Sequence, residues 1–241
     1  MRNLCLSATF VTLACLTTRV LPGRAEELLA NQLTAKERAA GWRLLFDGKT
    51  TSGWHTFKKQ TFPDHGWVVE DGWLHCLGKG GGDVISDASF DNFELEWDWK
   101  QASGGNSGLK YFVLDTRPSA IGHEYQMIDD EREPDASKAD RKRVTAAFYD
   151  VLKPMEHTPT KQPGETNHSR ILIRGVHVEH WLNGTKVLEY ECGSDAMKAA
   201  VAESKFKNTA GFGNKVVGHL LLQDHNSEVW FQNIKLRPIK G

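Results

Sequence analysis

The chain has 241 residues, with 30 Lys and Arg against 31 Asp and Glu, for a formal net charge of −1. That balance argues against nucleic acid as a partner, because binding phosphates takes a basic face. A mean hydropathy of −0.48, with no apolar run long enough to cross a bilayer, argues against an integral membrane protein.

At the N-terminus, Arg2 precedes a mostly apolar run from Leu4 to Leu16, and Gly23-Arg24-Ala25 offers small residues before a cleavage point. This is the pattern of a secretory signal peptide over residues 1–25, so the chain is expected to be exported to the periplasm or the cell exterior. Thr12-Leu13-Ala14-Cys15 is a degraded lipoprotein signal, with Thr where Leu is usual, so a lipid anchor at Cys15 is the lesser expectation. The leader would take Cys5 and Cys15 with it. Cys76 and Cys192 remain, enough for one disulfide but not for a four-cysteine zinc site.

Residues 26–40 read as one or two helical turns. Leu29, Leu33 and Ala40 recur at helical spacing, Thr34 and Glu37 have capping-box spacing, and Gly41 ends the run. From residue 41 to 241 the texture is that of one domain made of short alternating runs. Trp67 to Glu70 and Trp73 to Leu77 flank Asp71-Gly72 as a hairpin. Phe93 to Lys100 is the clearest strand, with its apolar residues at odd positions and its charges, Glu94, Glu96, Asp98 and Lys100, at even ones. Gly104-Gly105 turns into a strand from Gly108 to Val113. There Lys110 is set among apolar residues and needs water or an acidic partner, such as Glu96 or Glu124 on a neighbouring strand.

The next strand contains His123-Glu124-Tyr125-Gln126-Met127-Ile128. Glu124 and Gln126 share a face, where a carboxylate and an amide can meet a polyol and the carboxylate can act as acid or base. Residues 129 to 143 are mostly charged, which suits a solvated loop or a loop over a cleft. Arg170 to Arg174 and Val176 to Leu182 flank Gly175 as a second hairpin, and Asn183-Gly184 turns into Thr185 to Tyr190. Alternation puts His180 on the face opposite Glu179 and Trp181. It is either a sugar or metal contact or a buried histidine. Ser194 can cap a helix running to Lys205. Gly218 to Gln223 and Val229 to Leu236 close the chain as strands around Asp224-His225-Asn226, where Gln223 and His225 would share a face.

Many short strands with regular turn signals define a β-sandwich or barrel, with helix confined to the N-terminal end and one insertion. Gly78-Lys79-Gly80-Gly81-Gly82 lacks the context of a phosphate loop. No ligand spacing indicates a metal site.

Taken together, these blocks are similar to the bacterial 3-keto-disaccharide hydrolase domain. The resemblance rests on Gly41-Trp42-Arg43-Leu44-Leu45-Phe46-Asp47-Gly48-Lys49-Thr50 with Gly53-Trp54, and on Asn106-Ser107-Gly108-Leu109-Lys110-Tyr111-Phe112. It continues through Glu124-Tyr125-Gln126 with Asp129-Asp130, His180-Trp181-Leu182-Asn183-Gly184, Leu222-Gln223-Asp224-His225 and Phe231-Gln232-Asn233-Ile234-Lys235. One block departs: Gly164-Glu165-Thr166-Asn167 has Thr where the family usually has Trp, which bears on specificity.

The resemblance implies an all-β, concanavalin- or glucanase-like jelly-roll sandwich acting on glycosides oxidised to a ketone at C3. A C3 ketone acidifies the C2 proton, so a base can form an enolate, the anomeric oxygen can leave by β-elimination, and water can add back. Such a route needs a base, an electrophile for the enolate oxygen and an acid for the leaving group. Chemistry assigns the roles here: Glu124 or His225 as base with the other as acid, and Lys110 as electrophile. Asn106, Gln126, His180 and Gln223 would hold hydroxyls. No cofactor is required, although a divalent metal can take the place of Lys110. The competing classes are a non-catalytic carbohydrate-binding module and a structural partner in a larger exported complex.

Overall fold

A computed structural model describes residues 30–240. The expected leader over 1–25, with Cys15, and Leu29 of the N-terminal turns lie outside the described residues. A capped turn of helix, α1 (Ala35–Ala39), precedes strands β1 (Arg43–Leu44), β2 (Trp54–Thr56), β3 (Trp67–Glu70), β4 (Trp73–Leu77), β5 (Val84–Phe90), β6 (Phe93–Gln101), β7 (Asn106–Val113) and β8 (His123–Ile128). After a long connection come β9 (Asn167–Arg174), β10 (His177–Leu182), β11 (Thr185–Glu191), helix α2 (Asp195–Ala202), β12 (Gly218–Leu222) and β13 (Glu228–Pro238). No helix among the described residues is long and apolar enough to cross a membrane.

The strands form two antiparallel sheets, a jelly-roll β-sandwich. The larger runs β11-β10-β9-β6-β13-β4-β3, with β1 also paired to β13; the smaller runs β2-β5-β12-β7-β8. The alternation in β6 explains why the layers pack. Phe93, Leu95, Trp97 and Trp99 point inward and are buried with Leu109 and Tyr111 of β7, Tyr125 and Met127 of β8, and Phe231 of β13. The even residues of β6 form a cross-strand charge ladder on the outer face. Glu94 accepts from Arg237 at 2.7 Å, Glu96 lies 3.0 Å from Lys235, and Asp98 lies 2.7 Å from His168. Glu94 is buried by these partners rather than left in solvent.

The turn chemistry also follows from sequence. Asp71 and Gly72, then Asn183 and Gly184, all take positive φ, as a two-residue hairpin turn requires. Thr34 and Glu37 form the reciprocal capping box. The expected helix from Ser194 is shorter than its pattern. The Ser194 hydroxyl accepts from Met197 N, but α2 stops at Ala202, and the Lys205 amide donates at 2.7 Å to Asp150 instead of continuing the helix. Ser194→Ala is expected to cost about 1 kcal/mol and to lower Tm by roughly 2–4 °C in thermal unfolding.

Three features were left open by the sequence. Strand β5 carries Ser86-Asp87-Ala88-Ser89, a weak strand signal, and is held by pairing with both β2 and β12. The charged 129–143 stretch is stitched down rather than simply solvated. Arg143 reaches Asp135 at 2.6 Å and Asp150 at 2.7 Å, Thr145 N donates to Asp130 at 2.7 Å, and Phe148 bridges to Tyr125 at the edge of β8. Cys76 and Cys192 are separate, buried free thiols, so the disulfide open to them does not form; burial pushes both up to about 12.

Candidate active site

The smaller sheet carries a polar cavity of about 280 Å³ on its outer side. Strand β7 contributes Asn106 and Lys110, and β8 contributes Glu124. Gln223 and His225 come from the segment after β12, Tyr149 from the stitched connection, and Lys205 and Phe206 from the segment after α2. Five sequence candidates from three separate stretches, Asn106, Lys110, Glu124, Gln223 and His225, therefore meet in one place.

Sheet register explains the central pair. Lys110 and Glu124 are directly opposed on neighbouring antiparallel strands, so their side chains rise together. Lys110 Nζ lies 3.7 Å from Glu124 Oε2 and donates to the Ala120 carbonyl at 3.3 Å. Gly108 makes the room: a Cβ there would sit 2.6 Å from Glu124 Oε1. Glu124 is buried, and burial holds its carboxyl above the ordinary glutamate range, partly offset by the positive charges of Lys110 and Lys205. Desolvation pushes the Lys205 ammonium below the usual lysine range; its Nζ lies 4.0 Å from the centre of the Tyr149 ring.

The mouth is fixed by a reciprocal clamp. Gly82 N donates to Asp224 and Asp224 N donates to Asp83, each at 3.0 Å, which sets the backbone that carries His225. Gln223 is anchored through its main chain, with Gln223 N donating to Gly108 O at 3.0 Å and Ser107 Oγ donating to Gln223 O at 2.8 Å. Its side-chain oxygen is buried and lacks a protein donor.

Two sequence candidates fall elsewhere. Gln126 is fully buried behind Glu124. With its amide nitrogen turned to the carboxylate, it donates to Glu124 Oε1 at 3.0 Å and to the Ser107 carbonyl at 3.2 Å. It supports Glu124 instead of facing the cavity. His180 lies in the core between the sheets, with Nδ1 2.9 Å from the Ala146 carbonyl and Nε2 2.7 Å from the Tyr111 hydroxyl. Alternation had separated it from Glu179 and Trp181, but its face is the interior one.

Lys205, Tyr149 and Phe206 were not singled out by sequence. No local pattern marks them, because a long-range hydrogen bond from Lys205 N to Asp150 brings them to the cavity. Among the described residues, one set of three metal-type side chains converges: His177, Glu179 and Glu189. It lies on β10 and β11 of the other sheet, and Lys186 already sits 2.6 Å from Glu189 and 3.7 Å from Glu179.

The site is thus a buried glutamate–lysine pair lining a polar cavity on one sheet of a jelly roll. The sequence profile of the 3-keto-alpha-glucoside-1,2-lyase-like domain matches residues 41–237, and the chain belongs to that family. It is 33% identical over 233 residues to the 3-keto-disaccharide hydrolase of Bacteroides thetaiotaomicron, covering 83% of this chain and 79% of that protein. A solved structure from Parabacteroides distasonis, provisionally named a glycosyl hydrolase, superposes with a TM-score of 0.80 at 34% identity, covering 88% of this chain and all of that one. A second from the same organism, with the same provisional name, gives 0.66 at 28% identity, covering 82% and 99%.

Proposed function

We propose that this chain is an exported enzyme, periplasmic or extracellular, that cleaves 3-keto-glycosides by removing the C2 proton and expelling the anomeric oxygen. The observation that carries the reading is the Glu124–Lys110 pair. The proton to be removed is on C2 and the developing charge is on the oxygen of the adjacent carbon, C3. Base and electrophile must therefore be neighbours, and a carboxylate oxygen 3.7 Å from an ammonium meets that need. The name of the Bacteroides relative supports the substrate class.

In the proposed sequence Glu124 takes the C2 proton, and the C–H electrons form the C2–C3 double bond of an enolate whose oxygen faces Lys110. The enolate then collapses to the ketone, a C1–C2 double bond forms and the C1–O bond breaks. His225, at the mouth where the aglycone leaves, gives that oxygen its proton. In the hydrolytic outcome, water adds at C1 while a proton returns to C2. Asn106 and Gln223 hold hydroxyls; the unfilled Gln223 acceptor suits one. The route needs no pair of carboxylates at fixed separation of the kind ordinary glycosidases use.

The experiment is a matched pair of substrates: a 3-keto-glucoside and the same glucoside unoxidised, followed by NMR. Cleavage of the keto substrate alone is expected, because only the ketone acidifies C2. Equal cleavage of both would refute the route. Saturable binding with turnover of neither would make the chain a carbohydrate-binding module.

A further inference from the structure

A second cavity, of about 200 Å³, opens at the other end of the β7–β8 pair. Ile128 borders it, opposite Asn106 of the first cavity and four residues along β8 from Glu124, which is about 13 Å along the strand. Its wall includes Gln101 at the end of β6, Asp130, Thr158 and Thr160, with Pro163 as apolar surface.

The inner polar groups are acceptors short of donors. Gln101 is only 4% exposed and its side-chain oxygen has no partner. Asp130 receives the Thr145 N–H at 2.7 Å, while its other oxygen has only the Thr160 hydroxyl at 3.5 Å. Lys161 borders the cavity but gives its ammonium to the Thr166 carbonyl at 2.8 Å. An unfilled buried acceptor such as Gln101 is costly, and a ligand bringing hydrogen-bond donors would relieve it and add a partner to the half-exposed Asp130 carboxylate.

We infer that this cavity is a saccharide subsite, separate from the Glu124 cavity, in which ring hydroxyls donate to the Gln101 side-chain oxygen and the Asp130 carboxylate. Pro163 offers apolar surface to the C–H face of the ring. A hard dication fits less well, because it wants several charged oxygens and only one carboxylate is free. Asp129 is committed to the amides of Gly104, Glu131 and Arg132 and to the Arg132 guanidinium, and Glu131 lies 3.5 Å from that same guanidinium. The inference rests on these acceptors and does not depend on the reaction proposed above.

The test is to titrate the full chain with unoxidised sugars, methyl glucoside, sucrose and maltose, while following backbone amide NMR shifts. Saturable shifts at Thr158 to Gln162 are expected, with Kd in roughly the millimolar range. Gln101→Leu and Asp130→Asn should each weaken that binding by about tenfold or more, while cleavage of a 3-keto-glucoside continues. Thr160→Val serves if either variant fails to fold. The inference is overturned if sugars shift only the amides around Glu124 and Lys205. It is equally overturned if nothing shifts, if calcium alone shifts this loop, or if the variants bind as the parent does.

Discussion

Glu124→Gln is expected to reduce turnover of a 3-keto-glucoside by about 10²–10⁴-fold, the usual worth of a positioned general base. The substitution keeps the side chain's volume above Gly108 and beside Gln126. It also leaves Lys110 without its acidic partner, so Tm is expected to fall, while near-UV circular dichroism below the transition should be unchanged. The parent's pH profile carries the same signature. A base works only when ionised, so activity rises with pH through the Glu124 pKa. Burial moves that acidic limb above the ordinary glutamate value of 4.5. In Glu124→Gln the limb should disappear from the residual activity. Full turnover in the variant, measured at saturating substrate, would remove Glu124 from the reaction.

The second large effect concerns stability in acid. His180 donates its Nδ1 hydrogen to the Ala146 carbonyl, so its Nε2 accepts from Tyr111; Tyr111 in turn accepts from Tyr190, and Tyr190 accepts from His123 Nδ1. Both histidines are buried and neutral. Burial, with the neighbouring Arg117 charge, lowers His123 to about 3, and burial lowers His180 to about 4, both from an ordinary 6.5. The unfolded chain therefore binds protons that the folded chain refuses. Their stabilising contribution is full above pH 6.5 and is lost as the pH falls from there toward the folded values. By about pH 4 each histidine has cost on the order of 3 kcal/mol. His123→Phe, which suits the ring stack with Phe148, should flatten the dependence of urea-unfolding free energy on pH by about one proton, roughly 1.4 kcal/mol per pH unit. An unchanged slope would show that His123 titrates normally in the folded state.

Much of the fold is written in local pattern. The odd–even alternation of β6, the Asp71-Gly72 and Asn183-Gly184 turns and the Thr34 capping box each follow from a physical requirement of a few neighbouring residues. Strand β5 was not legible, because Ser86 to Ser89 carry no alternation and only the flanking strands make them one. At the site, alternation placed Glu124 and Gln126 on one face of β8, but only the covering connection decides which of them meets the cavity. His180 shows the same limit. The period of a strand tells which residues share a face but not whether that face is the interior one. Lys205 and Tyr149 arrive through contacts far apart in sequence, which no short window contains.

The most direct measurement is cleavage of a 3-keto-glucoside in deuterated water, with NMR of the released sugar at C2 and an enzyme-free control for exchange. C2 proton abstraction predicts deuterium at C2 in a hydrated product, or an unsaturated product that has lost its C2 hydrogen. Cleavage that leaves the original C2 hydrogen in place would contradict the elimination route and with it the role given to Glu124.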